Sequence, residues 1–309
     1  MGMSIRTFLN TAAKQSRTAK VLRHIDRAGN GLEIGPSHNP VAPKKSGYRV
    51  HIIDHLSRED LIRKYTDHGV VLDNIEEVDF VWSGEPFAEL TKRPKFYDWI
   101  IASHVIEHTP DLIGFLAECD SILKDSGVVS LAVPDARFAF DCFRPLTGIA
   151  PVLDAHERRA VIHSAGTAAD YFLNVVKKGN LIAWNNSASG DYHFVHTPEE
   201  ALEAMRQIRD EQKYLDVHAW CFTPSSFRLL MHDLHLLGLS PFREVSFSPT
   251  VGCEFFVTLG RNGRGPDRSR MELHEDIKKE LAAPLSWRSR IVPHAVRLLL
   301  DAWTTRRGG

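Results

Sequence analysis

Cysteine is scarce: four residues in 309, Cys119, Cys142, Cys221 and Cys253, at long irregular spacings with no C-x-x-C pair. That pattern argues against a thiolate zinc site and against a disulfide framework, and it fits reduced thiols in a cytoplasmic protein. Charge of one sign is also missing. With 38 Lys+Arg against 39 Asp+Glu the net charge is −1, so the chain lacks the footprint of a nucleic-acid binder. No stretch approaches the roughly 20 uninterrupted apolar residues of a membrane span. The N-terminal segment is basic without a continuous apolar core and does not read as a secretory signal. Arg6 stands where a myristoylation pattern requires Ser or Thr.

What is there is an alternation of strand and helix patterns. Residues 1–30 hold apolar positions at helical spacing among basic residues, which predicts one or two amphipathic helices. Short apolar, β-branched runs follow at 31–35, 49–54, 78–82, 97–103 and 127–134. Helical patterns separate several of them, at 57–65 with Ser57 as cap and at 111–123. This β-α-β-α linkage predicts a doubly wound, mostly parallel sheet in residues 31–260. Residues 136–222 read as a largely helical insertion with no clear strand, its helices at 154–163, 167–177 and 198–213. A helix entered through Pro224 and two strands, 242–247 and 253–259, close the domain and suit an antiparallel pair at the sheet edge. Residues 261–309 carry a net charge of +5 and read as a basic helical appendage, with helices at 271–281 and 289–303.

The most informative segment is Leu32-Glu33-Ile34-Gly35-Pro36-Ser37-His38-Asn39-Pro40. A strand ending in E-x-G opens a crevice at the carboxyl edge of a parallel sheet, where ligands of such folds bind. Nineteen residues after Gly35, at the end of the second strand, Asp54 can accept the two ribose hydroxyls of an adenosine. A dinucleotide would need G-x-G-x-x-G to seat its pyrophosphate. Here the frame holds one glycine, and Pro36 and Pro40 remove amide donors. S-adenosylmethionine has no phosphate and needs no such cradle.

The order E-x-G-P-S, I-I-D-H, Y-D-W-I-I-A-S-H-V-I-E-H and L-K-D-S-G-V-V-S-L-A-V-P-D resembles the class I S-adenosylmethionine-dependent methyltransferases. It is most like the broad group whose fourth strand runs into an E-H pair. The resemblance covers about residues 31–135 well and the closing strands loosely. It implies a Rossmann-like seven-stranded sheet, mostly parallel with an antiparallel last strand, and S-adenosylmethionine as cofactor. Matched position by position, it implies cofactor-binding roles for Glu33, Gly35, Pro36, Ser37, Asp54, His55, Ser83, Gly84, Ser103 and His104. The second glycine of the usual first motif is Ser37 here. Trp82-Ser83-Gly84 replaces the acid often found after the third strand.

Methyl transfer to a hydroxyl needs an aligned acceptor and a group to take its proton. Strand ends place His104, Glu107, His108 and Asp135 as the catalytic candidates. His104-Val105-Ile106-Glu107-His108 also spells H-x-x-E-H, a zinc-peptidase pattern that requires an α-helix. Here it follows an apolar strand and precedes Thr109-Pro110, so a turn is expected and no metal ligands are assigned. His193, His196 and His218 in the insertion could alternatively hold a divalent metal, at a spacing that is not diagnostic. The insertion mixes amides, imidazoles and aromatic rings around Trp184, Tyr192 and Trp220, a chemistry suited to a sugar-like acceptor. Proteins with the same E-H strand and a W-x-F-x-P-S-S-F-like stretch, here Trp220 to Phe227, are often associated with polysaccharide assembly.

The expectation is an enzyme that O-methylates a hydroxyl of a sugar or glycan precursor. The alternatives are a small-molecule or lipid-precursor methyltransferase, a non-catalytic Rossmann-fold scaffold in a glycan-assembly complex, and, last, a zinc hydrolase. The basic helix at 289–303 suits a peripheral membrane surface, a protein partner or a dimer mate.

Overall fold

The computed structural model describes residues 17–185 and 188–282. The expected helix at 289–303 and most of the first amphipathic segment lie outside the described residues. The chain is helical at 17–21 (α1). Then follow β1 (Gly31–Ile34), β2 (Val50–Asp54), α2 (Arg58–Tyr65), β3 (Phe80–Val81), α3 (Phe87–Thr91), β4 (Tyr97–Ser103), α4 (Leu112–Ile122) and β5 (Leu123–Pro134). The insertion holds α5 (Ile149–Glu157), α6 (Ala165–Asn174), β6 (Val176–Lys178), β7 (Tyr192–Phe194) and α7 (Pro198–Glu211). The chain closes with α8 (Pro224–Leu236), β8 (Arg243–Val251), β9 (Glu254–Gly260) and α9 (Arg270–Ala282).

Seven strands form one sheet in the order β3-β2-β1-β4-β5-β9-β8. β3, β2, β1, β4 and β5 run parallel, and β9 runs antiparallel to β5 and to β8. The last strand in sequence therefore sits inside the sheet and β8 forms its edge. The burial follows: β9 is covered along its whole length, whereas β8 alternates half-buried and exposed positions as an edge strand does.

The central strands are apolar on both faces because helices cover both. Leu32, Ile100, Leu131, Val257 and Phe227 of α8 join one core with α4. Trp99, Ile101, Ala132 and Phe256 pack on the opposite face beneath Val21 of α1. Gly31 is the position where Trp99 needs room: a Cβ there would lie 2.0 Å from the indole.

Local signals set the helix ends. Ser57 caps α2 by accepting the Asp60 amide, Asp111 caps α4 by accepting the Gly114 amide, and Thr197 opens α7 in a reciprocal box with Glu200. The insertion departs from expectation. It contains a two-stranded antiparallel hairpin, β6–β7, where no strand was expected. Its first helix begins at Ile149 and ends at Glu157, several residues earlier than the periodicity suggested. β3 shrinks to two residues, and beside it the Asp79 carboxylate accepts the Ile52 amide and the Lys44 ammonium. The described part of the appendage packs on α8: Glu280 accepts from Ser225, and Arg270 pairs with Asp233.

Candidate active site

Parallel strands place their carboxyl ends on one edge, so Gly35, Asp54, His104 and Asp135 meet there although 100 residues separate the first from the last. β9 enters the same edge from the opposite direction. Its first residue, Glu254, pairs with Pro134 at the end of β5.

The cofactor side is built from β1 and β2. Gly35 turns the chain with φ +61°, and Ser37 follows with φ +51°. The Ser37 amide donates to Asp54 Oδ2 at 3.1 Å, and the His55 amide to Asp54 Oδ1 at 2.8 Å. The turn after β1 and the acid after β2 thus form one crevice wall. The Trp82 amide donates to the Asp54 carbonyl, which brings the Ser83-Gly84 loop beside them. Ser83 itself is spent on Glu85, through both its amide and its hydroxyl. Glu33 does not reach the crevice. It is buried and its carboxylate accepts the Val41 and Ala42 amides at 2.7 and 3.1 Å, clamping the loop that follows the turn. Burial pushes the Glu33 carboxyl up to about 7, against the two amide bonds that pull it down.

The acceptor side is built after β4. His104 sits at φ +55°, a conformation costly for a non-glycine residue and frequent at functional sites. The positive φ presents the imidazole to two carboxylates. Nε2 lies 2.9 Å from Glu254 Oε2, and Nδ1 lies 3.6 Å from Glu107 Oε1. Burial pulls the His104 imidazole down, but the Glu254 hydrogen bond and the Glu107 charge outweigh it, and its pKa is raised. Arg17 completes the group, donating to Glu254 Oε1 at 2.6 Å and to Ser103 Oγ at 2.6 Å. Ser103 is therefore engaged by α1.

H-x-x-E-H does not lie on an α-helix. Residues 106–108 form a single 3₁₀ turn directly after the strained His104. Glu107 is completely buried, and among the described residues neither of its oxygens has a hydrogen-bond partner. His108 Nδ1 lies 2.8 Å from Asp216 Oδ1 and its ring stacks edge-on to His218 at 4.6 Å. Asp135 is a correction to the list of candidate bases. It is fully buried and saturated by Arg137 Nε and Nη2 at 2.9 and 2.5 Å and by Thr250 Oγ1 at 2.6 Å. A carboxylate so paired holds a loop in place, its oxygens engaged by Arg137 and Thr250.

Glu254, Arg17, Asp141 and His218 join the site without having been singled out for it as a group. His218 stood out only as one of three imidazoles in the insertion, and Glu254 only as an acid opening an otherwise apolar strand. Of the insertion's aromatics, Trp184 and Trp220 are core residues whose indole N–H groups donate to the Arg137 and Thr109 carbonyls. Phe143, Phe194 and Tyr214 are exposed rings, at 50 %, 65 % and 45 %.

The sheet order, the single antiparallel strand and the crevice define a class I methyltransferase architecture. A family model described as a methyltransferase domain matches residues 6–236. The chain belongs to this family, and it is an S-adenosylmethionine-dependent methyltransferase of class I. No curated protein matches its sequence. Solved structures resemble it distantly. A candidate zinc-dependent alcohol dehydrogenase from Rhodobacter sphaeroides is 14 % identical, with 80 % of this chain and 89 % of that chain covered and a TM-score of 0.42. The 1,6-didemethyltoxoflavin-N1-methyltransferase of Burkholderia thailandensis, crystallised with S-adenosylhomocysteine, is 13 % identical, with 83 % and 80 % covered and a TM-score of 0.40. A Pyrococcus horikoshii OT3 protein is 13 % identical, with 80 % and 90 % covered and a TM-score of 0.36. At these scores they add nothing to the assignment, which rests on the family match. Among the described residues, no helix is long and apolar enough to cross a membrane.

Proposed function

We propose that the protein transfers a methyl group to a hydroxyl oxygen of a sugar or glycan precursor. The observation that carries this reading is the His104–Glu254 pair, a strained imidazole held 2.9 Å from a mostly buried carboxylate at the carboxyl edge of the sheet. A carboxylate in that position orients the ring and stabilises the imidazolium formed when His104 takes the acceptor's proton.

The crevice residues fit S-adenosylmethionine. Gly35 brings backbone rather than side chain to the cofactor wall, Asp54 presents a carboxylate for a ribose, and Ser37 Oγ is buried without a hydrogen-bond partner among the described residues. His55, 51 % exposed and 2.7 Å from Asp54, flanks the same wall. When bound, the cofactor supplies a methyl on a sulfonium leaving group; the protein contributes alignment and a proton acceptor. A sugar is favoured on the acceptor side because Phe143 and Phe194 offer exposed ring faces on an insertion also bearing Tyr192, Lys178 and imidazoles.

The test begins with calorimetric titration of S-adenosylhomocysteine, with NAD as control. Transfer of labelled methyl from S-adenosylmethionine is then screened over nucleotide sugars and oligosaccharides. The proposal expects micromolar binding of the first ligand alone, a methyl ether as product, and transfer lost in His104→Asn with binding kept. A product methylated at nitrogen or carbon would reject it.

A further inference from the structure

We propose that Glu107, His108 and His218 form a binding site for a divalent transition-metal ion. The three donors come from two distant segments, the 3₁₀ turn after β4 and the stretch leading into α8. One ligand atom from each lies within 4.8 Å of the others. The segments are fastened at this point, since the Glu107 carbonyl accepts the Ala219 amide at 2.6 Å.

The Glu107 carboxylate is the strongest indication. It is 0 % exposed and its two oxygens accept no hydrogen bond among the described residues, although buried carboxylates are ordinarily paired. The nearest cationic candidates are imidazoles, His104 Nδ1 at 3.6 Å and His218 Nε2 at 4.0 Å. A cation between Glu107 and the two histidines would supply the missing partner.

The surroundings of the histidines point the same way. A ligating imidazole characteristically gives its other nitrogen to a carboxylate, which fixes the tautomer and raises the basicity of the donor. His218 Nδ1 lies 2.5 Å from Asp141 Oδ2, and Asp141 is held in turn by Arg144 at 2.9 Å. Arg144 also donates to the His218 carbonyl at 2.8 Å. His108 Nδ1 has its own carboxylate, Asp216, at 2.8 Å. His218 keeps its Nε2 on the side of Glu107, 4.0 Å from Oε1.

Two imidazoles, one carboxylate and an open position suit Zn(II), Fe(II) or Co(II) rather than Ca(II) or Mg(II), which prefer all-oxygen sets. Ligand atoms on a tetrahedral zinc stand about 3.3 Å apart. The cluster is wider than that, and binding would draw His108, the half-buried member, inward. The set is not that of a zinc peptidase: the motif lies on a 3₁₀ turn, His104 is held through Nε2 by Glu254, and His218 comes from a distant segment. A role for the ion in polarising an acceptor hydroxyl rests on the proposed function above. Binding of the ion does not.

The experiment is titration of the untagged, EDTA-treated full chain with Co(II), followed by visible d–d absorption. One equivalent should bind and give the band, with no thiolate charge-transfer absorption. Glu107→Gln should abolish the band. Asp216→Asn, on an exposed side chain, should weaken binding by about ten- to a hundredfold. His193→Ala should change nothing. Thermal melts and S-adenosylhomocysteine titration accompany each variant; should Glu107→Gln fail to fold, Asp216→Asn decides. Absence of binding, a thiolate band, or affinity unaltered in the folded variants would overturn the site. Failure to bind S-adenosylhomocysteine would count against the methyltransferase reading and leave the metal result standing.

Discussion

His104 at the end of β4 and Glu254 at the start of β9 are 150 residues apart in sequence and 2.9 Å apart in space. The contact exists because β9 runs antiparallel and so brings its first residue to the edge where the parallel strands end. Glu254 also binds Arg17, which ties α1 to the site. Glu254→Ala removes the closest carboxylate from both His104 and Arg17 and should cost about 2 kcal/mol in urea-unfolding free energy. Glu254→Gln should cost less, since it keeps one acceptor. A loss within experimental error for the alanine variant would show that the cluster contributes nothing to stability.

Asp54 should dominate cofactor affinity. Its carboxylate both orders the Ser37 turn and stands at the ribose position. Asp54→Ala should weaken S-adenosylhomocysteine binding at least about tenfold, the scale of a lost hydrogen bond to a charged group. Calorimetry on a variant whose melt confirms folding is the measurement, and unchanged affinity would remove Asp54 from the ribose site.

Glu33 makes stability depend on pH. Its carboxyl rises from 4.5 to about 7 on folding, chiefly through burial. Between those values the folded protein holds a proton that the unfolded chain has released. Stability from this group therefore falls as pH rises through the window, by up to about 3 kcal/mol. Urea melts from pH 5 to pH 8 should show this slope in the native protein and a flatter profile in Glu33→Gln. Parallel profiles would refute the assignment.

Gly31 should tolerate no side chain. A Cβ at 2.0 Å from the Trp99 ring forces the indole from a fully buried position or moves β1 off β4. Gly31→Ala should destabilise by about 3 kcal/mol, the upper end of ordinary overpacking. An unfolding midpoint equal to that of the native protein would mean that Trp99 has somewhere else to go.

Much of the catalytic edge could be read from local pattern. Gly35 and Asp54 end apolar, β-branched runs, and a parallel sheet brings all such ends together. The Ser57 cap was equally visible, because capping depends on residues three positions apart. The β6–β7 hairpin was hidden, since three-residue strands carry too little alternation to stand out. The roles of Glu33 and Asp135 were hidden for another reason. Their strand-end positions match a ligand site, but the amides of Val41 and Ala42 and the guanidinium of Arg137 claim the carboxylates first.

The sequence by itself determined the strand-helix alternation, the carboxyl-edge crevice, the preference for a cofactor without phosphate and the family. These rest on periodicity and on motifs a few residues long. Only the tertiary structure decided which charges meet. His104 with Glu254 and His218 with Asp141 are pairings across the fold, as is the burial of Glu107 beside His218, its oxygens without a hydrogen bond among the described residues. No local spacing encodes them, because a side chain's electrostatic partner is set by where the packed elements bring it, and burial is what makes each pairing strong.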